Sequence, residues 1–129
     1  MHHTVTRKPA RISEEEKAAA ILACQQHVDG FLRPRFLPDI RSTEFNYPVD
    51  ILGRWRGSTY TFFQRYRSGY PHNLGEEFDA PFARLDWTGP GRFDLMWHRH
   101  TGKWHRLHQG LSLLRAIATL KADGLLHPV

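Results

Sequence analysis

"YPVDILGRWRGSTYTFFQRYRSGYP", residues 47–71, decides the fold. Val49, Ile51 and Trp55 alternate with Asp50, Leu52 and Arg54, the period of two that sends successive side chains to opposite faces of a strand. Past Arg56-Gly57, Tyr60, Phe62, Gln64 and Tyr66 fall on one face, and Thr59, Thr61, Phe63, Arg65 and Arg67 on the other. Two such runs on either side of a glycine turn make a β-hairpin.

Toward the C-terminus, "SGYPHNLGEEFDAP" (68–81) is acidic and rich in turn formers, which predicts an exposed loop. "PFARLDW" (81–87) is a third strand and "TGPG" (88–91) a tight turn. "RFDLMWHRH" (92–100) is a fourth strand, and Thr101-Gly102 turns it into a short fifth, "KWHRL". Ser112 then caps a final helix with Leu113, Leu114, Ile117 and Leu120 on one face, stopped by Gly124.

Toward the N-terminus, residues 13–30 read as a helix. Ser13 caps it, Glu16 is the reciprocal partner of a capping box, and Glu14, Glu15 and Glu16 complement the helix dipole. Ile21, Leu22, Gln25 and Val28 form its stripe with Cys24 beside it, and Gly30 ends it. Pro34 and Pro38 in "FLRPRFLPDI" predict an extended connector. Residues 1–12 read as a flexible basic tail and 13–129 as a single domain. The class is α+β, with an antiparallel sheet of four to five strands flanked by an N-terminal helix (14–30) and a C-terminal helix (112–123).

Composition agrees with one globular domain. The chain has 129 residues, 40% of them hydrophobic and 24% charged. Basic residues outnumber acidic ones 18 to 13, giving +5, a field that favours polyanions. Cys24 is the single cysteine, so no disulfide forms within the chain, as expected of a cytoplasmic protein. No apolar run approaches the roughly 20 residues of a membrane span, and "MHHTVTRKPAR" lacks the apolar block of a signal peptide.

"LMWHRHTGKWHRLH" (95–108) concentrates four histidines, two tryptophans and three basic residues. If Thr101-Gly102 is the centre of a two-residue turn, His100 faces Lys103 and His98 faces His105. His98, His100 and His105 then share one face, where opposed Cβ atoms lie about 4.5–5.5 Å apart and three imidazoles can hold zinc. In the same register Trp97, Arg99, Trp104 and Arg106 share the other face. No cofactor is otherwise expected. Ser58, Ser68 and Ser112 lack a nucleophile-elbow context, no Glu-any-Lys follows Asp86 and Asp94, and no glycine-rich phosphate loop is present.

The C-terminal half resembles an uncharacterised bacterial family called domain of unknown function three-thousand-and-twenty-four. Trp97, Arg99, Lys103, Trp104, His105 and Arg106 match its motif of Trp, any, Arg, three variable residues, then Lys-Trp-His-Arg. "PFARLDW" looks like its Pro-Val-Ala-Lys strand and "SLLRAIATLKAD" like its closing helix. "FFQRYR" departs from it where the family has an acidic residue. The resemblance supports the fold and implies no activity.

The residues themselves point to a non-enzymatic basic module that binds nucleic acid or another anionic partner. Arg54, Arg56, Arg65 and Arg67 flank Trp55, Tyr60, Phe62 and Tyr66, while Lys103 lies between Trp97 and Trp104. Exposed rings that stack bases beside cations that track phosphates suit single strands. The alternative is a protein-interaction or homodimerisation module. A metal-binding protein or metal-dependent enzyme built on the histidine cluster comes third.

Overall fold

Ser13 Oγ accepts the Glu16 N–H at 3.1 Å and starts α1 (Glu14–His27), three glutamates occupying its first turn. The computed structural model describes residues 11–128. The expected basic tail therefore lies outside the described residues except for Arg11 and Ile12, and Ile12 packs against the core. The buried stripe of α1 is Ala20, Cys24 and His27, running on into Val28 and Leu32. Leu22, placed in the stripe by the sequence pattern, is instead 56% exposed.

Gly30 and Pro34 do not end the helix. It widens into a π-turn at Val28–Leu32 and continues as α2 (Arg33–Phe36). The Arg33 N–H bonds Val28 O, five residues back, so the ladder opens one residue ahead of Pro34, whose ring would otherwise crowd a carbonyl. The expected connector is therefore helical as far as Phe36. Arg33 Nε donates to Ile51 O at 3.0 Å and ties this helix to the sheet.

The sheet is a five-stranded antiparallel meander in the order β1-β2-β3-β4-β5. Its strands are β1 (Asn46–Arg56), β2 (Thr59–Ser68), β3 (Glu77–Gly89), β4 (Arg92–His98) and β5 (Trp104–Leu111). Gly57 turns β1 into β2 with φ 64°, the first position of a two-residue hairpin turn. Ile51, Tyr60 and Phe62 are buried as the alternation predicts, and buried Gln64 accepts the Tyr66 hydroxyl at 2.7 Å.

Two strands outrun their expected lengths. The acidic stretch read as loop contributes Glu77–Pro81 to β3, because Asp79 and Glu77 pair with Arg65 and Arg67 across the ladder. β5 continues past Leu107 through bulges opposite β4, which its continuing polar sequence does not reveal.

Ser112 Oγ accepts the Arg115 N–H and starts α3 (Leu113–Ala122). α1 and α3 touch each other on one face of the sheet, with α3 against β4 and β5. Ala116 and Leu120 point into the core, but Leu114 is 83% exposed, so the apolar face of α3 is rotated from the expected one. The core joins Cys24, Leu32, Ile51, Phe62, Leu85, Phe93, Leu95 and Leu126. Among the described residues the opposite face of the sheet carries no helix.

Candidate functional site

The second hairpin closes through three residues rather than two. Arg99 N donates to Lys103 O at 3.0 Å, and Gly102 N donates to Arg99 O at 2.9 Å with Gly102 at φ 82°. Glycine in the left-handed region suits a three-residue hairpin loop. The extra loop residue slips the register by one, so Trp97 faces His105 and His98 faces Trp104. A one-residue slip exchanges the faces of a whole strand.

The tri-histidine face is therefore not formed. His105 lies with Trp97, ring centroids 6.2 Å apart, and His98 packs edge-on against Trp104 at 4.9 Å. His100 is exposed in the turn. Among the described residues no group of three or more His, Cys, Asp or Glu is placed to hold a metal ion. Trp97 and Trp104, expected on one face, lie on opposite ones. Arg99 stays with Trp97, its guanidinium carbon 5.5 Å from the ring and its buried Nε without a partner. Arg106 lies with Trp104, its Nη1 3.6 Å from Asp94 Oδ2, and Lys103 is exposed at the turn.

The flip brings Trp104 onto the helix-free face beside the first hairpin. There Arg54, Arg56, Phe63, Pro81, Arg84 and Trp104 line an open cleft of about 530 Å³, with Thr59 and Thr61 between them. The Arg54 guanidinium lies 4.4 Å from the centre of the Phe63 ring, and that of Arg84 lies 4.6 Å from Trp104. Cations over rings at this distance are mutually attractive.

Carboxylates hold the guanidiniums in place. Asp79 accepts from Arg65 Nε and Arg54 Nη2, each at 2.8 Å, and Asp86 takes Arg84 through Nε and Nη2 at 2.6 and 2.9 Å. The hydrogen bond from Arg65, backed by the charges of Arg65 and Arg54, holds the Asp79 carboxyl below its ordinary range. Arg67 is held by Glu77 at 3.0 Å. The expected basic patch is thus largely neutralised: of its cations, Arg56 and Lys103 are exposed and in no ion pair among the described residues.

The rings expected to form a platform are mostly core. Tyr60 and Phe62 are buried, and Trp55 packs partly against the core while its Nε1 donates to Gly57 O at 2.9 Å. The cleft's rings are Phe63, Trp104 and the part of Trp55 that reaches it. Phe63 was legible from its place on the Thr/Arg face of β2, an apolar residue among polar ones. Arg84, Asp79 and Asp86 were not, because their roles depend on pairing across strands.

Two further groups escaped the sequence pattern. His27 is buried in α1, its Nδ1 without a partner, stacked on Phe31 at 5.2 Å and edge-on to Phe62. His108 Nε2 lies 2.8 Å from Asp123 Oδ2, whose Oδ1 accepts the Leu125 N–H, so the pair fastens β5 to the end of α3. Cys24 is fully buried, and burial pushes its thiol well up, away from the reactive thiolate.

No helix of the described residues is long and apolar enough to cross a membrane. Comparison with curated proteins and with solved structures returns no match. A family model matches residues 12–128, nearly the whole described chain, and the chain belongs to that family, Domain of unknown function (DUF3024).

Proposed function

We propose that this chain is a binding module that takes single-stranded nucleic acid on the helix-free face of its sheet. The observation that carries this reading is the cleft in which the guanidiniums of Arg54 and Arg84 lie over the rings of Phe63 and Trp104, with Arg56 free at its margin. Guanidinium planes and aromatic rings stack bases, and an unpaired arginine takes a phosphate. Because carboxylates neutralise most cations of this face, stacking contributes more than charge. Titrating a fluorescently labelled single-stranded oligonucleotide at several salt concentrations tests it. Single strands lose affinity with a log–log slope of about −0.7 per neutralised phosphate, so two free cations give a slope of roughly −1 to −2. No binding at low salt overturns the proposal.

A second reading, a homodimer, is favoured by one observation. Leu114, 83% exposed, borders an apolar groove between α1 and α3 formed with Ala23, Leu113 and Ile117. Light scattering separates the two, since a monomer at high concentration removes the dimer.

A further inference from the structure

We infer that the cleft holds one nucleobase between two guanidinium-on-ring stacks, with Thr61 as its floor. This deepens the proposed function and rests on it. Arg54, Thr61 and Arg84 are directly opposed across β1, β2 and β3. Neighbouring strands lie about 4.7–4.9 Å apart, which sets the backbones carrying the two arginines roughly 10 Å apart. Both stacks and Thr61 line the one cleft of about 530 Å³, which has room for a single base.

The walls are built to stay flat. Asp86 grips two nitrogens along one edge of Arg84, and Asp79 grips Arg54 at Nη2, so the carboxylates use guanidinium edges and leave the planes to the rings. Each arginine thus presents a plane rather than a free charge. The Thr61 hydroxyl, which both donates and accepts, meets the edge of a base without demanding one identity. Arg56, exposed at the lip one row further along β1, is left for the phosphate. The ligand class that combines a planar heterocycle with an adjacent phosphate is a nucleotide unit, and a strand offers it repeatedly.

The experiment compares two labelled probes of equal length, a single-stranded oligonucleotide and the same phosphodiester strand with its bases removed. The expected result is that the strand with bases binds about tenfold more tightly or better, as stacking of a single base requires. Arg84→Lys keeps the charge and removes the plane, so it erases most of that difference while leaving the abasic strand's affinity in place. Thr61→Val keeps the β-branched shape of a strand residue and changes the ranking among homopolymers without changing abasic binding. Arg56→Gln weakens both strands alike. Equal binding of the two strands by the wild-type protein overturns the slot and leaves a charge-reading surface standing. Absence of binding to either strand overturns the proposed function and the slot together. If Arg84→Lys melts early, Thr61→Val carries the decision: an unchanged homopolymer ranking overturns the floor assignment.

Discussion

Trp87 Nε1 donates to Glu16 Oε1 at 2.9 Å, and the same oxygen accepts the Gly91 N–H at 2.8 Å. The first turn of α1 is thereby clamped to the β3–β4 turn, across more than seventy residues of chain. The sequence assigned Glu16 to a reciprocal cap; its N–H does bond Ser13 Oγ, but its carboxylate works at long range. Glu16→Ala strands a donor on mostly buried Trp87 and is expected to cost about 1.5–3 kcal/mol in urea unfolding. Glu16→Gln keeps an acceptor oxygen and costs less. Glu14→Ala, which shares the charge and the first turn, is the control, and a Glu16→Ala loss no larger than that of Glu14→Ala removes the clamp.

His27 predicts an acid sensitivity. Burial pulls it down to about 4, with Lys121 and His127 pushing the same way, whereas a histidine in the unfolded chain titrates near 6.5. Between those values the unfolded state binds a proton that the folded state refuses, so stability falls as pH drops from about 6.5 to about 4. Above that window neither state is protonated and the effect vanishes. The full loss is on the order of 3 kcal/mol. Melting curves across the window for wild type and His27→Leu test this, and parallel pH profiles would show that His27 is not the group responsible.

What the sequence revealed and what it hid follow from the range of each interaction. The first hairpin is legible because Gly57 fixes a two-residue turn and Tyr60 and Phe62 alternate with Thr59 and Thr61. The second is not legible in this way, because "WHRHTGKWHRL" carries rings and cations at both parities, so no hydrophobic pattern chooses between a two- and a three-residue loop. One loop residue thus separates both the three histidines and the two tryptophans, so that each face carries one tryptophan and one strand histidine. At Pro34 a local rule was overridden by a π-turn that opens the ladder. The cleft combines residues of β1, β2, β3 and β5, and no spacing along the chain encodes that meeting.

Two glycines are required by close approach rather than by backbone freedom. A Cβ on Gly53 would sit 2.1 Å from a ring carbon of Tyr60, which is buried and cannot swing away. A Cβ on Gly69 would sit 1.8 Å from the Thr43 carbonyl oxygen, and Gly69 N donates to Phe45 O at 2.8 Å. Both Ala variants are expected to destabilise by about 1–3 kcal/mol, with Gly69→Ala the worse because backbone must move. Gly30→Ala meets nothing within 4 Å and is the neutral or stabilising comparison. Equal denaturation midpoints for all three would contradict the packing described.

Asp79 offers a test in which stability and binding move in opposite directions. It neutralises Arg54 and Arg65 from a position where its side chain is only 16% exposed. Its carboxyl is held low chiefly by the Arg65 hydrogen bond, so the stability it contributes is present at neutral pH and lost as pH falls below the ordinary aspartate range. Asp79→Asn removes that anion, costs on the order of 1–3 kcal/mol, and leaves two arginines without their shared counter-ion. Binding of the abasic strand, which reads charge alone, should then strengthen at low salt, and its log–log salt slope should steepen by about 0.7. A protein that merely unfolds more easily would bind less. Weaker abasic binding by folded Asp79→Asn would mean that this face does not contact the phosphates.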